Sequence, residues 1–187
     1  MKEGTRVIRL SQDYIFKAFD CGNQDLNDFL LQDAKEYDKR LLSVTYILET
    51  DEDIVAYFSV SNDKIAIPDS DKATWRKIKA LFTQRKHRSD YPAVKIGRLG
   101  VALKYQHTQI GTDILDFIKE MFITNNRTGC SFVTVDALKS ALSFYLKNNF
   151  LFLDKVTAAD DTQETYLLYY NLAQFLDLLA FVHCYSL

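Results

Sequence analysis

The sequence predicts an α/β chain with layered α+β organisation, in which helices flank a mixed, mostly antiparallel sheet of about six to seven strands. Two observations carry this prediction. Residues 93–122 contain an apolar strand, a short polar loop and an amphipathic helix in succession. Before them, two runs rich in β-branched and aromatic residues are separated by four polar residues, which is the pattern of a hairpin.

The composition predicts a single globular domain over residues 1–187. Hydrophobic residues make up 48% of the chain and charged residues 26%, with only 6 Gly and 2 Pro. We find neither a secretory signal nor a run of apolar residues long enough to span a membrane, so we expect a cytoplasmic protein. Cys21, Cys130 and Cys184 lack metal-binding spacing, which predicts buried reduced thiols and no metal site.

The first part of the chain begins with a short predicted strand, Thr5–Leu10. Asn23 is then placed to cap a helix whose apolar face comprises Leu26, Phe29, Leu30 and Ala34. Ser43–Glu49 and Ile54–Val60 are the two strands of the hairpin.

Residues 72–88 form the one strongly biased segment, with seven basic and no acidic residues. Because the formal net charge is −2, the remainder of the chain carries −9. Such a run suits the phosphates of RNA. The alternative is a solvated helix that packs through Trp75, Ile78, Leu81 and Phe82, and the sequence leaves both interpretations open.

The central strand is predicted at Val94–Val101, and the loop Tyr105–Gly111 leads from it into the helix. Ile110, Ile114, Ile118, Met121 and Phe122 are predicted to form the apolar side of that helix, with Asp113, Asp116, Lys119 and Glu120 on the other side. A strand that enters a helix through such a loop directs free backbone N–H groups at one point, and this point suits a phosphate.

The last part of the chain adds three strands and two helices. We predict strands at Ser131–Val135, Leu151–Leu153 and Thr165–Tyr170. A helix is expected over Ser140–Asn148, and Leu172–Tyr185 is apolar enough for a final helix.

Several motifs together resemble the GNAT superfamily of N-acetyltransferases. R-L-G-V at residues 98–101, followed by Tyr105-Gln106 and Ile110-Gly111, resembles its acetyl-CoA loop. A-x-x-F-Y-x-x-x-N-F at residues 141–150 resembles a second signature of these enzymes. F-D-C-G-N at residues 19–23, with the T-Y-I-L and A-Y-F-S strands, is similar to the branch whose toxins acetylate aminoacyl-tRNA.

The resemblance implies that acetyl-CoA is a co-substrate and that no metal is needed. The pantetheine would run along residues 97–101, where an N–H near Gly100 or Val101 polarises the thioester oxygen. Residues 106–112 would hold the pyrophosphate. The implied cofactor-binding residues are Leu99, Gly100, Val101, Gln106, His107, Gln109, Ile110, Gly111 and Thr112.

Tyr145 is the predicted general acid, because a phenol with a pKa of about 10 is protonated at neutral pH and can donate to the departing thiolate. The alternative is a packing aromatic in a chain with 11 Tyr. The α-amine of an aminoacyl substrate needs no strong base, since it titrates at about 7.7–8.0. His107 is expected to face solvent or phosphate, and His87 and His183 to be structural or surface residues.

Two residues depart from the family pattern. Asn149 replaces a glycine at a helix end, which is a mild exchange because Asn is the next best left-handed cap. Gln109 replaces the first glycine of the loop. If this position requires a positive φ, Gln costs on the order of 1 kcal/mol and can obstruct cofactor binding.

Three functions remain open at this point. The first is a toxin-like N-acetyltransferase acting on the α-amine of aminoacyl-tRNA, with Lys77, Lys79, Arg85 and Lys86 as RNA-binding residues and an antitoxin protein as partner. The second is an N-acetyltransferase of a small-molecule or protein amine. The third is a non-catalytic binding module with the same fold. A homodimer through the apolar C-terminal helix is a further expectation.

Overall fold

The computed structural model describes residues 4–66, 71–82, 88–124, 126, 129–154 and 162–176. The chain divides into two compact units. The first comprises Met1–Ser61 and Ile96–Phe117, and the second comprises Asn62–Lys95 and Ile118–Leu187. The single domain over residues 1–187 stays a prediction.

Seven strands form one sheet in the order β1-β2-β3-β4-β5-β7-β6. The pairs β1–β2, β2–β3, β5–β7 and β6–β7 are antiparallel. The strands are β1 (Arg6–Arg9), β2 (Val44–Glu49), β3 (Ile54–Ala66), β4 (Asp90–Val101), β5 (Phe132–Leu138), β6 (Leu151–Phe152) and β7 (Thr165–Asn171). This sheet confirms the predicted fold class.

The helices occur where the sequence predicts them. They are α1 (Gln24–Asp28), α2 (Ala34–Lys39), α3 (Lys72–Ala80), α4 (Ile110–Thr124) and α5 (Leu142–Lys147), with 3-10 turns at Leu103–Tyr105 and Lys139–Ala141. A π-helical turn, Phe29–Asp33, joins α1 to α2. Asn23 caps α1 as predicted, because its side chain accepts a hydrogen bond from the N–H of Leu26.

Several strands are longer than predicted, and β3 and β4 exceed their predicted lengths the most. β3 continues to Ala66, six residues beyond the predicted end at Val60, and β4 begins at Asp90 rather than Val94. The added segments contain polar residues and Pro92, so their apolar pattern does not predict a strand. Pro92 has no N–H to donate within β4, but its carbonyl still accepts a hydrogen bond from the N–H of Ser131 (3.0 Å).

The core of the first unit is aromatic. Phe29 stacks on Tyr57 with ring centroids 6.2 Å apart, and Phe19 meets Tyr57 edge-on at 5.5 Å. The Tyr57 hydroxyl donates to the carbonyl of Leu26 (2.7 Å). These contacts fix α1 and the turn before it against β3.

In the second unit, two side chains differ in exposure from what the sequence predicts. Leu81 was expected on the packed side of α3, but it is 51% exposed, since it follows the last residue of the helix. Lys119 was expected on the polar side of α4, but it is 4% exposed. Its ammonium lies 4.4 Å from the centre of the Tyr170 ring and 5.5 Å from that of Phe175, so two aromatic faces replace water.

The remaining predictions divide between described and undescribed residues. Cys21 and Cys130 are free and buried, which confirms that prediction for both, whereas Cys184 lies outside the described residues. Residues 172–176 are helical and begin the predicted final helix, whose remainder also lies outside. His87, His183, Arg85 and Lys86 are not among the described residues either.

Candidate functional site

The end of β4 passes directly over an aromatic ring of the first unit. A Cβ placed on Gly100 would lie 2.8 Å from Cε1 of Tyr57 and 3.3 Å from Cζ of Phe19. Such contacts are closer than van der Waals packing allows, so only glycine permits this approach. Gly97 is exposed and Leu99 and Val101 are half-buried, which leaves part of the strand open to a ligand.

The 3-10 turn after β4 is fastened to the turn of the β2–β3 hairpin. Asp53 accepts hydrogen bonds from the ammonium of Lys104 and the hydroxyl of Tyr105, both at 2.7 Å through Oδ2. The Lys104 hydrogen bond, followed by that of Tyr105, holds the pKa of the Asp53 carboxyl below its usual value. These bonds fix the position at which the chain enters the loop.

Gln106 holds the loop together through its side chain. The amide Nε2 donates to the carbonyl of Cys21 (2.8 Å) and to that of Val101 (2.9 Å). This side chain therefore ties the loop to the end of β4 and to the turn before α1. The backbone N–H of Gln106 also donates, to the carbonyl of Leu103 (3.3 Å), so the cofactor role that the sequence predicts for this residue stays a prediction.

The next residues turn the backbone sharply into α4. His107 has a φ of 60° and Gln109 a φ of 70°, and the side chains of His107, Thr108 and Gln109 are exposed. Gln109 thus occupies the left-handed conformation that glycine adopts without strain. The hydroxyl of Thr108 donates to the carbonyl of Tyr105, which tightens the turn.

The helix begins at Ile110, two residues earlier than predicted, so that Gly111 lies inside its first turn. The N–H of Asp113 donates to the carbonyl of Gln109 (3.0 Å) as the first bond of the helix. Helix geometry leaves the N–H groups of Ile110, Gly111 and Thr112 without an acceptor within the helix. Together with the positive end of the helix dipole, they form a site for an anion such as a phosphate.

Tyr145 belongs to the second unit and is 6% exposed. Its ring contacts Phe144 (5.1 Å between centroids) and Phe150 (5.4 Å). Burial raises the pKa of the Tyr145 phenol well above its ordinary value, so the group keeps its proton throughout the neutral range. A general acid must carry its proton before the reaction begins, and the Tyr145 phenol meets this requirement.

The turn after α5 is a Schellman motif. Asn149 has a φ of 65°, as expected for a left-handed cap. Its N–H donates to the carbonyl of Leu146 (3.1 Å), and the N–H of Phe150 donates to that of Tyr145 (3.1 Å). Asn149 therefore adopts the left-handed conformation of the glycine that it replaces, and both hydrogen bonds of the motif are formed.

The basic residues of α3 divide by exposure. Arg76 and Lys77 are exposed, whereas Lys79 is half-buried. Asp71 caps the helix by accepting from the N–H groups of Ala73 (2.8 Å) and Thr74 (2.9 Å). The packed side consists of Trp75 and Ile78, so α3 presents positive charge on its outer face and apolar side chains on its inner face.

Sequence reasoning assigned no role to two residues near the end of β4. Asp53 holds the loop through Tyr105, which is 52 positions away, so no local pattern reveals it. Arg98 was part of the motif but not of the predicted site. The signal available for it was its charge, since the predicted strand is otherwise apolar or small except at Lys95.

Within the described ranges, no group of three or more His, Cys, Asp or Glu side chains is arranged to hold a metal ion. No helix there combines the length and apolarity that crossing a membrane requires.

Comparison with known proteins gives a clear result for the fold alone. No protein-family model and no curated sequence matches the chain. A tyrosine-to-phenylalanine mutant of KacT is 21% identical with a TM-score of 0.74, over 94% of this chain and 99% of that chain. AtaT complexed with acetyl-methionyl-tRNAfMet is 19% identical with a TM-score of 0.74, over the same two shares.

A third solved structure combines two other ligands. It is a tyrosine-to-phenylalanine mutant of the AtaT toxin bound to the C-terminus of the antitoxin AtaR and acetyl-CoA. This protein is 17% identical with a TM-score of 0.70, over 95% of this chain and 99% of that chain. The chain has the fold of these proteins, which confirms the GNAT-like fold that the sequence motifs predict.

Proposed function

We propose that the chain is an acetyl-CoA-dependent N-acetyltransferase of the toxin-like kind, which acetylates the α-amine of aminoacyl-tRNA. The observation that carries the proposal is the anion site at the start of α4, where the N–H groups of residues 110–112 lack helical acceptors. The likeness to AtaT, which is solved with acetyl-CoA and with acetyl-methionyl-tRNAfMet, supports it. An antitoxin protein is the corresponding proposed partner, since AtaT is also solved with AtaR.

The residues present suit acetyl-CoA, which supplies an activated acetyl group. Within residues 106–112, the N–H groups of residues 110–112 would hold the pyrophosphate, because the side chain and the backbone N–H of Gln106 are already engaged. Gly97 and the half-buried Leu99 and Val101 leave the strand open for the pantetheine. A backbone N–H at Gly100 or Val101 would polarise the thioester oxygen.

We assign Tyr145 the role of general acid. Attack by the amine forms a C–N bond and breaks the C–S bond, and the departing thiolate takes the phenolic proton. The raised pKa of Tyr145 keeps that proton available at neutral pH. The solved tyrosine-to-phenylalanine mutants of KacT and AtaT accord with this assignment.

A first experiment tests cofactor binding by calorimetric titration with acetyl-CoA. We compare the wild type with Gln109→Gly, and use Leu41→Gly as the matched control. Leu41 also has a positive φ (59°), but it follows the end of α2. Saturable binding that changes only in Gln109→Gly supports the loop assignment. No binding by any of the three proteins would contradict it and leave a non-catalytic module.

A second experiment tests the acceptor. The exposed Lys77 on α3 is a proposed phosphate contact, with Lys79, Arg85 and Lys86 beside it in sequence. Lys77→Gln should weaken aminoacyl-tRNA binding and reduce the slope of log affinity against log salt by about one. The control is Lys39→Gln at the end of α2. Equal binding and turnover in both variants would favour a small-molecule or protein amine.

The location of the protein in the cell follows from the same proposal, whereas its assembly is a separate question. Aminoacyl-tRNA as acceptor places the chain in the cytoplasm, as the sequence analysis expects. The homodimer stays a prediction, because most of the proposed C-terminal helix lies outside the described residues. Sedimentation of the purified protein would test it directly.

A further inference from the structure

Arg98 is held in an unusual way on β4. Its Nη1 donates to the carbonyl of the adjacent Gly97 (2.9 Å), and its guanidinium carbon lies 5.1 Å from the centre of the Phe29 ring. Its Nε lies 3.7 Å from Oδ2 of Asp25 on α1. The side chain remains 37% exposed, so these three contacts orient the guanidinium without enclosing it.

The contacts leave much of the guanidinium without a hydrogen-bond acceptor. Nε is buried and has no hydrogen-bond partner among the described residues, because Asp25 is too distant to accept. A guanidinium carries five N–H groups, and only one of them is bonded here within the described part of the chain. Because the side chain is 37% exposed, the unbonded N–H groups of its outer nitrogens are available to an acceptor from outside the chain.

Arg98 and Gly100 share one face of the strand. Side chains two positions apart on a strand point the same way. Arg98 contacts Phe29, the bare face of Gly100 meets Tyr57, and the Phe29 and Tyr57 rings stack on each other. The guanidinium therefore lies one strand repeat from the residue whose N–H would polarise the thioester.

We propose that Arg98 determines acceptor specificity by binding the phosphodiester next to the aminoacyl-bearing ribose of aminoacyl-tRNA. This inference rests on the proposed function. The planar guanidinium binds phosphate oxygens through two parallel hydrogen bonds, which an ammonium cannot reproduce. An acceptor without a phosphate in this position gains nothing from Arg98.

Asp25 has a defined role in this arrangement. Its carboxylate is the negative group that faces the guanidinium in the free protein, and its side chain is 79% exposed. A phosphate that binds Arg98 would be repelled by this carboxylate. Removing the charge of Asp25 should therefore strengthen acceptor binding, whereas removing that of Arg98 should weaken it.

The test measures KM for three substrates: a pool of aminoacyl-tRNA, the corresponding amino-acid amides, and acetyl-CoA. Arg98→Gln should raise the KM for aminoacyl-tRNA at least about tenfold, the effect expected of one charge-assisted contact. The KM values for the amides and for acetyl-CoA should stay unchanged. Arg98→Lys should recover only part of the loss. Thermal unfolding identifies any variant whose fold has changed.

A second pair of variants tests for a change of KM in the opposite direction. Asp25→Asn should lower the KM for aminoacyl-tRNA, whereas Asp13→Asn, an equal change of charge at another exposed position, should leave it unchanged. A rise in the acetyl-CoA KM of Arg98→Gln would overturn the inference, because the phosphate recognised would then be that of the cofactor.

The outcomes separate this inference from the proposed function. If wild-type protein acetylates aminoacyl-tRNA and Arg98→Gln has the same KM, the specificity role of Arg98 alone is wrong. If wild-type protein binds acetyl-CoA and acetylates amides but no aminoacyl-tRNA, the proposed function is wrong, and the role of Arg98 with it. An equal rise in KM for amides and aminoacyl-tRNA would contradict phosphate recognition.

Discussion

The start of α4 and the end of α5 use the same backbone conformation for opposite purposes. Gln109 and Asn149 are both non-glycine residues in the left-handed region, with φ of 70° and 65°. At Asn149 the turn satisfies the last carbonyls of a helix and closes it. At Gln109 the turn opens a helix and leaves N–H groups pointing outward.

The difference shows where backbone strain is offset. The turn at Asn149 gains two backbone hydrogen bonds and an aromatic contact between Tyr145 and Phe150. Gln109 is exposed and gains no comparable packing, so the side-chain clasp of Gln106 and the bonds of Asp53 must hold its loop. Strain that is held in place by surrounding contacts is typical of binding sites.

The largest expected effect is at Tyr145, which the closed turn holds in place. Tyr145→Phe should lower turnover by about 10²- to 10⁴-fold, because the general acid is lost. The control is Tyr169→Phe, another buried tyrosine whose pKa burial raises. Rates of acetyl transfer at saturating acetyl-CoA measure the effect. Equal turnover in the two variants would make Tyr145 a packing residue.

The second effect is on stability and tests what closes the α5 turn. Phe150 is 1% exposed and contacts both Tyr145 and Tyr170. Phe150→Ala should lower the free energy of unfolding by about 3–5 kcal/mol, since it leaves a cavity in the core. Urea unfolding followed by circular dichroism measures this change. A loss below about 1 kcal/mol would mean that the backbone bonds of the motif suffice without the ring.

The third effect is a gain in stability in the open turn. Gln109→Gly should stabilise the protein by about 1 kcal/mol, because glycine adopts a positive φ without steric conflict. This corresponds to a rise in Tm of about 2–4 °C for a chain of this size. Leu41→Gly should give a similar rise, since Leu41 is 90% exposed and loses no packing. A fall in Tm for Gln109→Gly would mean that its side chain contributes contacts that outweigh the strain.

The smallest effect distinguishes the two left-handed residues themselves. Asn149→Gly should raise Tm less than Gln109→Gly does, because Asn tolerates this conformation better than Gln. Asn149→Ala should lower Tm, since Ala has neither the backbone freedom of Gly nor the tolerance of Asn for a positive φ. Differential scanning calorimetry of the three variants gives the order. An equal gain at both positions would remove the contrast between the open and the closed turn.

Local signals account for the part of the fold that the sequence predicts well. The cap at Asn23 and the left-handed residue at Asn149 depend on neighbours a few positions away, so residue type suffices. The helices and strands follow from periodicity. The boundaries of β3 and β4 failed because polar residues and Pro92 continue the strands where pairing outweighs propensity.

The parts that the sequence could not predict depend on distant partners. The Gln106 side chain donates to the carbonyl of Cys21, which is 85 positions away, so a residue expected to bind cofactor also has a structural role that no local pattern reveals. Lys119 has the spacing of a surface lysine, yet the rings of Tyr170 and Phe175 cover it. The contact of the Arg98 guanidinium with the Phe29 ring likewise joins residues 69 positions apart, so no local pattern predicts it.

The covered position of Lys119 makes it an internal reporter of local opening. A lysine that is 4% exposed is shielded from amine-reactive reagents while the second unit is closed, whereas lysines such as Lys39 and Lys77 react at once. Mass spectrometry after a timed pulse of an acylating reagent would therefore count each opening event as a label at Lys119. The same shielding protects this position during prolonged exposure to an activated acyl donor, so chemical ageing of the protein would begin elsewhere on its surface.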